Sequence, residues 1–304
     1  MSTSSPKLPP PPSLTSLKKS EINICFAIND TYLEPLMVTL YSLLKSNGNS
    51  TFRFYVISNN LSESSQTRLR RFLEKFPHAD IEFVSVDASR FQDLTISIDY
   101  ITLETYFRYV LAELFPSLDK ILYLDADLIV VGDITDLWNT ELGANYAAGV
   151  HDIYIERISY KQEIGLEESD LYINAGVILF NLDAIRKGNI VPKFFEQTGR
   201  MFRFQDQDVL NVVCRKKIVR VPDKFNVLFG EKSGLSRSAS IIHYTGRRKP
   251  WLPNTRSKRA FDFIFRHRVW KNRRIYRKVH AEMLNQEAKK NLIVTSFSQT
   301  KQPQ

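Results

Sequence analysis

Two aspartates stand inside an apolar stretch of this sequence. Residues 120–138 read KILYLDADLIVVGDITDLW, so Asp125 and Asp127 interrupt what otherwise has the pattern of a buried strand. Ionised carboxylates are too costly to bury without a compensating positive charge. Because alternate residues of an extended chain project from one face, these two carboxylates could chelate a single cation. The alternative is that they cap the turn after the strand, since D-x-D also occurs by chance.

Two further stretches place polar residues inside a predicted strand and at the start of a predicted helix. The strand-like YINAGVILFNL at 172–182 contains Asn174 and Gly176, and such a glycine predicts the close approach of a ligand to the backbone. The stretch FQDQDVLN at 204–211 has four consecutive polar residues before an apolar helical turn. A helix N-terminus explains only one or two of them. We therefore expect part of each stretch to contact a ligand.

A fourth stretch combines a histidine with a basic turn. The sequence IIHYTGRRKPW at 241–251 predicts a strand that ends at His243, followed by Gly246 and three consecutive cations at 247–249. A single histidine at a strand end more often has a structural role than a ligand-binding one. The cations that follow it suit a phosphate-bearing ligand, because lysine and arginine form charge-assisted hydrogen bonds with phosphate oxygens.

The elements that would position these residues alternate between strands and helices. Apolar patterns predict strands at 22–28, 52–58, 81–86 and up to Asp125, and helices at 34–45, 62–76 and 103–115. This alternation predicts a mostly parallel, doubly wound α/β sheet with helices on both faces. Ligands bind such sheets at the carboxyl ends of the strands, where the two aspartates fall. The glycine patterns of dinucleotide and P-loop sites are absent, so any phosphate must be held by a metal and side chains.

Composition and cysteine usage indicate a globular protein of a reducing compartment. Of 304 residues, 43% are hydrophobic and 12% aromatic, which is enough to bury a sizeable core. Cys25 and Cys214 have no metal-type spacing, and Cys25 lies in an apolar run. Residues 1–20 are rich in proline and serine, so we expect them to be disordered and not a secretory signal. No window approaches the roughly 18 apolar residues of a membrane-spanning helix, which favours a cytoplasmic protein.

The net charge of +9 is concentrated in one segment. Residues 247–280 contain 13 lysines and arginines against one acidic residue, Asp262. This segment therefore has a surplus of 12 positive charges, and the rest of the chain is at −3. A patch of this kind can bind a membrane surface, nucleic acid or an acidic partner. The acidic balance of the remainder argues against a non-catalytic nucleic-acid-binding protein, and we expect no nucleic-acid partner.

Together and in this order, the four stretches resemble glycosyltransferase family 8. Within it, the sequence is similar to bacterial lipopolysaccharide and lipooligosaccharide α-galactosyl- and α-glucosyltransferases, over about residues 22 to 251. The resemblance implies a type A glycosyltransferase fold, a UDP-galactose or UDP-glucose donor, Mn²⁺ and retention of anomeric configuration. The acceptor would be a saccharide or glycolipid, such as the lipopolysaccharide core. We expect the catalytic domain at 21–251 and a basic, aromatic extension at 252–304.

The resemblance also implies roles for individual residues. The metal ligands would be Asp125, Asp127 and His243, a set that suits Mn²⁺ better than Mg²⁺, which prefers oxygen alone. The nucleotide would be held by Asn29, Asp30, Thr31, Tyr32, Asp125, Ala126, Gly246, Arg247, Arg248 and Lys249. The donor hexose and the reacting bond would be surrounded by Arg108, Asp152, Asn174, Asp206 and Gln207. Without the resemblance, Arg108 could equally be a cation on a helix surface and Asp152 a turn residue.

Two positions depart from the family's usual pattern. The family often has Asp where this chain has Asn29, and Asn where it has Thr31. An asparagine carbonyl can still accept a hydrogen bond from uracil N3–H. We therefore expect UDP binding to be kept, with Tyr32 stacked on the base.

Leaving-group chemistry favours one route to retention. The sugar–phosphate bond would break through an oxocarbenium-like state, with the metal and Lys249 stabilising the charge that builds on UDP. Retention conventionally needs a carboxylate nucleophile, but the family's position for it holds Gln207, a neutral amide. We therefore expect front-face attack, with covalent catalysis by Asp206 as the alternative. A different function also stays open, a metal-dependent hydrolase of nucleotide sugars or phosphoesters, because D-x-D with histidine serves that chemistry too.

The segment RSKRAFDFIFRHRVWKNRRIYRKVH at 256–280 interleaves aromatic residues with cations. Aromatic anchors and cations that attract anionic lipid are typical of an interfacial helix, and the family members carry a similar tail. The alternatives are nucleic-acid binding and a solvated helical face with a few core aromatics. We expect peripheral binding to anionic lipid on the inner face of the cell membrane. The anchoring residues would be Phe261, Phe263, Phe265, Trp270 and Tyr276.

Overall fold

The computed structural model describes residues 21–94, 102–197, 199–228, 239–246, 249–251 and 274–288. The strands are β1 (Ile22–Ala27), β2 (Phe52–Ser58), β3 (Ala79–Ser85), β4 (Lys120–Leu124), β5 (Leu128–Val130), β6 (Ala147–His151), β7 (Ile173–Asn181), β8 (Ile218–Arg220), β9 (Val227–Leu228) and β10 (Ile241–His243). The α-helices are α1 (Leu33–Ser46), α2 (Glu63–Leu73), α3 (Leu111–Leu114), α4 (Thr135–Trp138), α5 (Ile153–Arg157), α6 (Leu182–Lys187), α7 (Val191–Phe195), α8 (Asp206–Val213) and α9 at 274–288. The tail at 1–20, Arg247 and Arg248 lie outside the described residues.

Seven of the described strands form the central sheet, in the order β3-β2-β1-β4-β7-β6-β8. β3, β2, β1 and β4 are parallel to one another, whereas β7 runs antiparallel to β4 and β6, and β8 is parallel to β6. Leu122 and Leu124 of β4 pack into one apolar core, and Ile121 and Tyr123 pack into a second core on the opposite face. Because both faces of the sheet are covered, these strands are nearly continuous apolar runs. The predicted mostly parallel α/β sheet is confirmed.

A second, three-stranded sheet brings the histidine stretch to the two aspartates. β4 ends at Leu124 and β5 begins at Leu128, so Asp125 and Asp127 lie in the connection between the two sheets. β10 pairs antiparallel with β5, with His243 opposite Leu128, and β9 lies on its other side. The local sequence does not predict this sheet, because its strands are short and far apart along the chain.

The direction of β7 adds a third element to the same edge of the central sheet. Because β7 is antiparallel to β4, its amino end lies beside the carboxyl end of β4. The Asp125 N–H donates to the Gly176 carbonyl at 2.9 Å. Asn174 and Gly176 therefore approach the aspartates from a neighbouring strand.

The predicted helix at 103–115 is divided into two parts. A 3-10 helix covers Leu103–Val110, and α3 continues from it. Tyr106, Phe107 and Val110 of the 3-10 helix pack into the second core. A 3-10 run of eight residues is uncommonly long, and this one carries Glu104 and Arg108 among its buried residues.

Helix α9 packs against α1. Its buried Met283 joins the core on that face of the central sheet. Lys45 of α1 forms an ion pair with Glu282, and Glu34 bonds His280 Nε2 at 2.7 Å. Because exposed ion pairs contribute little each, we attribute most of the stability of this contact to its apolar residues.

The position of Tyr276 in α9 corrects the prediction of a lipid-facing residue there. Its ring is buried and lies 5.8 Å from the Tyr244 ring and 5.5 Å from the Trp251 ring. The apolar face of an amphipathic helix has the same pattern whether it packs on protein or on lipid, and here it packs on protein. The other aromatic residues of that prediction lie outside the described residues. Within the part of the chain that is described, no helix is long and apolar enough to cross a membrane.

Candidate active site

The two aspartates and the histidine form a cluster of potential metal ligands. One ligand atom from each of Asp125, Asp127 and His243 lies within 4.8 Å of the others. His243 Nε2 is 3.5 Å from Asp125 Oδ2 and 3.3 Å from Asp127 Oδ1. The pairing of β10 with β5 brings His243 to this place, beside the connection that carries both carboxylates.

The contacts around the cluster fit a divalent cation. Asp127 Oδ1 is buried and has no hydrogen-bond partner among the described residues, so this oxygen is available to a metal. His243 Nδ1 lies 3.0 Å from Asn226 Oδ1. When Nδ1–H donates to that oxygen, the other ring nitrogen faces the carboxylates, which is the orientation that metal-ligating histidines adopt. Two carboxylates and one imidazole are a donor set that can hold a divalent transition-metal ion.

The protonation of His243 is coupled to the two aspartates. Burial lowers the pKa of His243, but Asp127 and Asp125 outweigh that effect and raise it to about 9. Without a bound metal, the imidazole is therefore protonated at neutral pH. A metal ion would have to displace the Nε2 proton, so metal binding at this cluster would release a proton.

Three cations, Lys249, His243 and Arg108, keep the carboxylates ionised. Burial alone would raise the pKa of Asp127, but Lys249 and His243 hold it well below its ordinary value. Burial also opposes the ionisation of Asp125, and Arg108 lowers its pKa. Lys249 Nζ donates to Asp127 Oδ2, so the lysine that the resemblance assigns to the pyrophosphate lies at the metal cluster.

Arg108 is a buried residue and not a cation on a helix surface. It is 2% exposed, and its guanidinium lies 4.2 Å from the centre of the Tyr123 ring. It donates to Asp125 Oδ1 at 3.1 Å, and its Nε is 3.4 Å from Asp206 Oδ2. Burial would lower the pKa of Arg108, but Tyr123 and these two carboxylates raise it above its ordinary value. Arg108 thus joins the cluster of potential metal ligands to the start of α8.

Asp206 is a carboxyl group that can change protonation near neutral pH. Burial raises its pKa to about 7, although Arg108 acts in the opposite direction. The preceding residue, Gln205, has a φ of 48° and a ψ of −113°, which is strained for a residue with a side chain. This turn directs Asp206 toward Arg108, while Gln207 faces β7.

Gln207 belongs to a hydrogen-bonded network with Asp152 and Asn174. Its Oε1 accepts from Asn174 Nδ2 at 3.1 Å and from the Ala175 N–H at 3.0 Å. Its Nε2 donates to Asp152 Oδ2 and to the Tyr172 hydroxyl, both at 3.2 Å. Asp152 is buried and also caps the N-terminus of α5, so it is more than a turn residue. The network fixes which end of the Gln207 amide faces the backbone of β7.

Gly176 is required by the close approach of side chains. A Cβ atom at this position would lie 2.1 Å from His243 Cε1 and 2.8 Å from Asp125 Oδ2. The glycine in this strand therefore makes room for two of the potential metal ligands. This finding accounts for the glycine itself, and the approach of a ligand to this part of β7 stays a prediction.

Three of the residues assigned to the nucleotide, at positions 29, 31 and 32, follow the carboxyl end of β1. Asn29 Oδ1 accepts from the Thr31 N–H at 3.1 Å and from its hydroxyl at 2.6 Å. The next residue, Tyr32, is partly buried and meets the Trp251 ring edge-on, with 6.2 Å between the ring centres. Trp251 was not among the predicted site residues, although the stretch 241–251 that contains it was predicted to contribute to the site.

The remaining predicted nucleotide residues have different surroundings. Asp30 Oδ1 accepts from the hydroxyls of Ser62 and Ser65 at 2.8 and 2.5 Å, so its side chain ties the β1 loop to α2. Ala126 lies between the two aspartates and is buried. Gly246 has a φ of 72°, a conformation that favours glycine, and a Cβ atom there would meet no atom of the described residues within 4 Å.

Asn226 completes the site and has no motif that predicts it. Besides its contact with His243, its Nδ2 donates to Asn174 Oδ1 at 2.9 Å. It thereby connects the metal cluster with the Gln207 network through buried hydrogen bonds. The sequence around it, DKFNVL, has no pattern that would single it out. Asp208, by contrast, accepts from two tyrosine hydroxyls and has a structural role.

Comparison with known proteins assigns the chain to a family. The sequence profile of glycosyl transferase family 8 matches residues 23–255. A putative glycosyltransferase of Haemophilus influenzae is 30% identical over 243 residues, which are 76% of this chain and 73% of that protein. The lipopolysaccharide 1,3-galactosyltransferase of Salmonella typhimurium is 28% identical over 76% of this chain and 73% of its own length.

The fold is also similar to solved structures. The crystal structure of the galactosyltransferase LgtC in complex with donor and acceptor sugar analogs has a TM-score of 0.72 and 27% sequence identity, and the match covers 86% of this chain and 96% of LgtC. An active-site mutant of LgtC has a TM-score of 0.70 and 29% identity, over 80% of this chain and 94% of LgtC. The predicted type A glycosyltransferase fold is confirmed by these matches. This chain belongs to glycosyl transferase family 8.

Proposed function

We propose that this chain is a Mn²⁺-dependent, configuration-retaining transferase that moves galactose or glucose from a UDP-sugar to a saccharide acceptor. The observation that carries the proposal is the cluster of Asp125, Asp127 and His243, in which Asp127 Oδ1 is buried without a hydrogen-bond partner among the described residues. The names of relatives, lipopolysaccharide 1,2-glucosyltransferase and 1,3-galactosyltransferase, support a hexose donor and a lipopolysaccharide or other cell-surface acceptor.

The residues of the cluster would hold the metal and the leaving diphosphate. Asp125, Asp127 and His243 would ligate Mn²⁺, and the bound metal would neutralise the charge that develops on UDP as the bond to the sugar breaks. Lys249, which pairs with Asp127, keeps that carboxylate ionised and adds positive charge beside it. Arg108 holds Asp125 in place through its 3.1 Å hydrogen bond.

The contacts of Gln207 support front-face attack. A retaining reaction through a covalent intermediate needs a free carboxylate close to the anomeric carbon. The Gln207 oxygen already accepts two hydrogen bonds from β7, and an amide is a poor nucleophile. The carboxylate of the adjacent Asp206 is buried and lies beside Arg108. We therefore assign Gln207, Asn174 and Asp152 to orienting the sugar, with the proton of the acceptor hydroxyl leaving to the departing phosphate oxygen.

Peripheral membrane binding is part of the proposal. The basic segment before α9 would hold the enzyme at an anionic inner leaflet, close to a lipid-linked saccharide acceptor. Tyr276 is excluded from this role, since it packs on the core. Co-sedimentation with anionic vesicles at physiological salt tests this part, and failure to bind them would remove it.

The experiment that tests the activity follows product formation with UDP-galactose and UDP-glucose, Mn²⁺ and a panel of saccharide acceptors. A transferase forms a glycosylated acceptor with an α linkage, which NMR identifies, and releases UDP in step with it. A hydrolase would release UDP and free hexose at a rate that the acceptor does not change. Intact-mass measurement during turnover adds a check on mechanism, because a hexose adduct on Asp206 would contradict front-face attack.

A further inference from the structure

One short helix reaches both ends of the site. The 3-10 helix Leu103–Val110 places Arg108 at the metal cluster, where it bonds Asp125. One turn earlier, Glu104 Oε2 accepts from Asn29 Nδ2 at 3.2 Å. Asn29 follows the carboxyl end of β1, which is where a parallel sheet receives its ligand. Glu104 therefore lies beside Asn29, at the end of the site where the family resemblance implies that the nucleobase binds.

The hydrogen bonds of Asn29 settle how its amide is oriented. Its Oδ1 accepts from both the backbone N–H and the hydroxyl of Thr31, at 3.1 and 2.6 Å. A carbonyl oxygen has two lone pairs, and both are directed to these donors. The Asn29 oxygen that the sequence assigns to the uracil N3–H is therefore already engaged within the protein. The amide nitrogen faces Glu104 and keeps a second N–H.

Glu104 has acceptor capacity that the described part of the chain does not use. It is 8% exposed, and no lysine, arginine or histidine among the described residues forms an ion pair with it. Its described hydrogen bond comes from a neutral amide, whereas an ionised carboxylate can accept about four. A buried carboxylate is costly unless further donors reach it. An N–H group of a ligand beside Asn29 would be such a donor.

We propose that Glu104 is a specificity-determining residue that accepts the imino N–H of the nucleobase and selects uracil over cytosine. The proposal rests on the proposed function, in which a UDP-sugar is the donor. Uracil presents an N–H between two carbonyl oxygens, so Glu104 can accept from the N–H while the second N–H of Asn29 donates to a carbonyl. Cytosine has an unprotonated nitrogen at that position, and its lone pair would face the carboxylate. A buried mismatch of this kind is strongly disfavoured.

The test compares UDP and CDP binding by titration calorimetry with Mn²⁺ on the full chain. Glu104→Gln keeps the size of the side chain but can turn an NH₂ group toward the base. The unprotonated ring nitrogen of cytosine can accept a hydrogen bond from this group, whereas uracil N3–H is repelled by it. We expect the preference of the wild type for UDP over CDP to fall by about tenfold or more in this variant. Glu113→Gln is the matched control, because Glu113 follows on the same segment and pairs only with exposed Arg90 in the described contacts.

A double variant shows whether the preference for UDP depends on a carboxylate at this place. Asn29→Asp in the Glu104→Gln background moves the negative charge to the neighbouring position, so the preference for UDP should return toward that of the wild type. A Glu104→Gln variant with the wild-type ratio of UDP to CDP affinity would overturn the inference and leave the proposed function intact. A wild type that binds neither nucleotide with Mn²⁺ would instead overturn the proposed function, and this inference with it.

Discussion

Asp127 Oδ1 lies 3.3 Å from His243 Nε2 and is buried without a hydrogen-bond partner among the described residues. The other oxygen of the same carboxylate accepts from Lys249. One carboxylate therefore serves two purposes, since one oxygen is held by the protein and the other remains for a cation shared with the histidine. Together with His243 and Arg108, the contact with Lys249 explains how an acidic pair can stay ionised in an apolar stretch of the chain.

Gly176→Ala should impair the metal site without a change in charge. The new Cβ would lie 2.1 Å from His243 Cε1, so the imidazole or β7 must move. We expect Mn²⁺ affinity, measured by EPR titration, to fall by about tenfold or more, as misplacement of a ligand does elsewhere. Gly48→Ala is the control, because its Cβ would meet its nearest atom at 3.9 Å. Equal affinities for the two variants would contradict the position given to His243.

Asn226→Ala should weaken metal binding although Asn226 is not a ligand. It removes the acceptor for His243 Nδ1–H, so the ring loses the contact that orients it. Partners of this kind are worth about 10- to 100-fold in metal affinity. Asn226→Asp keeps the acceptor oxygen but loses the N–H that Asn174 Oδ1 accepts, so it should retain more of the affinity than the Ala variant. Exposed Asn139→Ala should change nothing. If the Ala and Asp variants bind Mn²⁺ equally well, the hydrogen bond has no such role.

Asp206→Asn should stabilise the metal-free protein by an amount that depends on pH. The pKa of Asp206 is raised from 3.8 to about 7 in the folded chain. A carboxyl group whose pKa is raised on folding stabilises the folded state in full when the pH is below its ordinary pKa of 3.8. This stabilisation is lost as the pH rises through the folded-state pKa of about 7. The variant should therefore melt at a higher temperature than the wild type. This difference should grow as the pH rises from about 4 to about 7, and reach about 5 °C at pH 8.

Two results for Asp206 would disagree with this expectation. A difference in melting temperature that is constant from pH 4 to pH 8 would mean that the pKa of Asp206 is not raised. A difference that shrinks with rising pH would mean that Arg108 outweighs burial and lowers the pKa of Asp206.

Tyr276→Ala should destabilise the whole fold, although the residue belongs to the basic tail. Its ring is buried against Tyr244 and Trp251, and loss of a buried aromatic side chain costs about 3–5 kcal/mol. Urea denaturation measures the change in the free energy of unfolding. Leu284→Ala, on the same helix and 42% exposed, should cost less than about 1 kcal/mol. Similar costs for both variants would show that α9 does not pack as described.

The sequence predicted those parts of the fold and site that depend on local pattern. Asp125 and Asp127 are conspicuous because buried carboxylates need a partner, and the alternation of apolar strands and helices indicates the parallel part of the sheet. The pairing of β10 with β5 and the reversal of β7 depend on contacts between distant segments, and no local pattern encodes them. These contacts bring His243 and Gly176 together.

Other features were hidden because two environments share one sequence pattern. The aromatic face of α9 could pack on lipid or on protein, and only the position of Tyr244 and Trp251 decides that Tyr276 is buried. Asn226 lies in no motif, and its role follows from its two hydrogen bonds. The family resemblance implies that the Asn29 carbonyl binds uracil, whereas in the fold this oxygen accepts from Thr31.

Titration calorimetry of UDP binding to the wild type and to Asp127→Ala, with Mn²⁺ and then with EDTA, is the most direct test of the proposed function. Because Asp127 Oδ1 is the oxygen left for a cation, the wild type should bind UDP with Mn²⁺ and lose about 100-fold or more of its affinity in EDTA. Asp127→Ala should bind UDP weakly under both conditions, while exposed Asp133→Ala should behave as the wild type. UDP binding by the wild type that is equally tight in EDTA, or unchanged in Asp127→Ala, would contradict a metal-dependent nucleotide site.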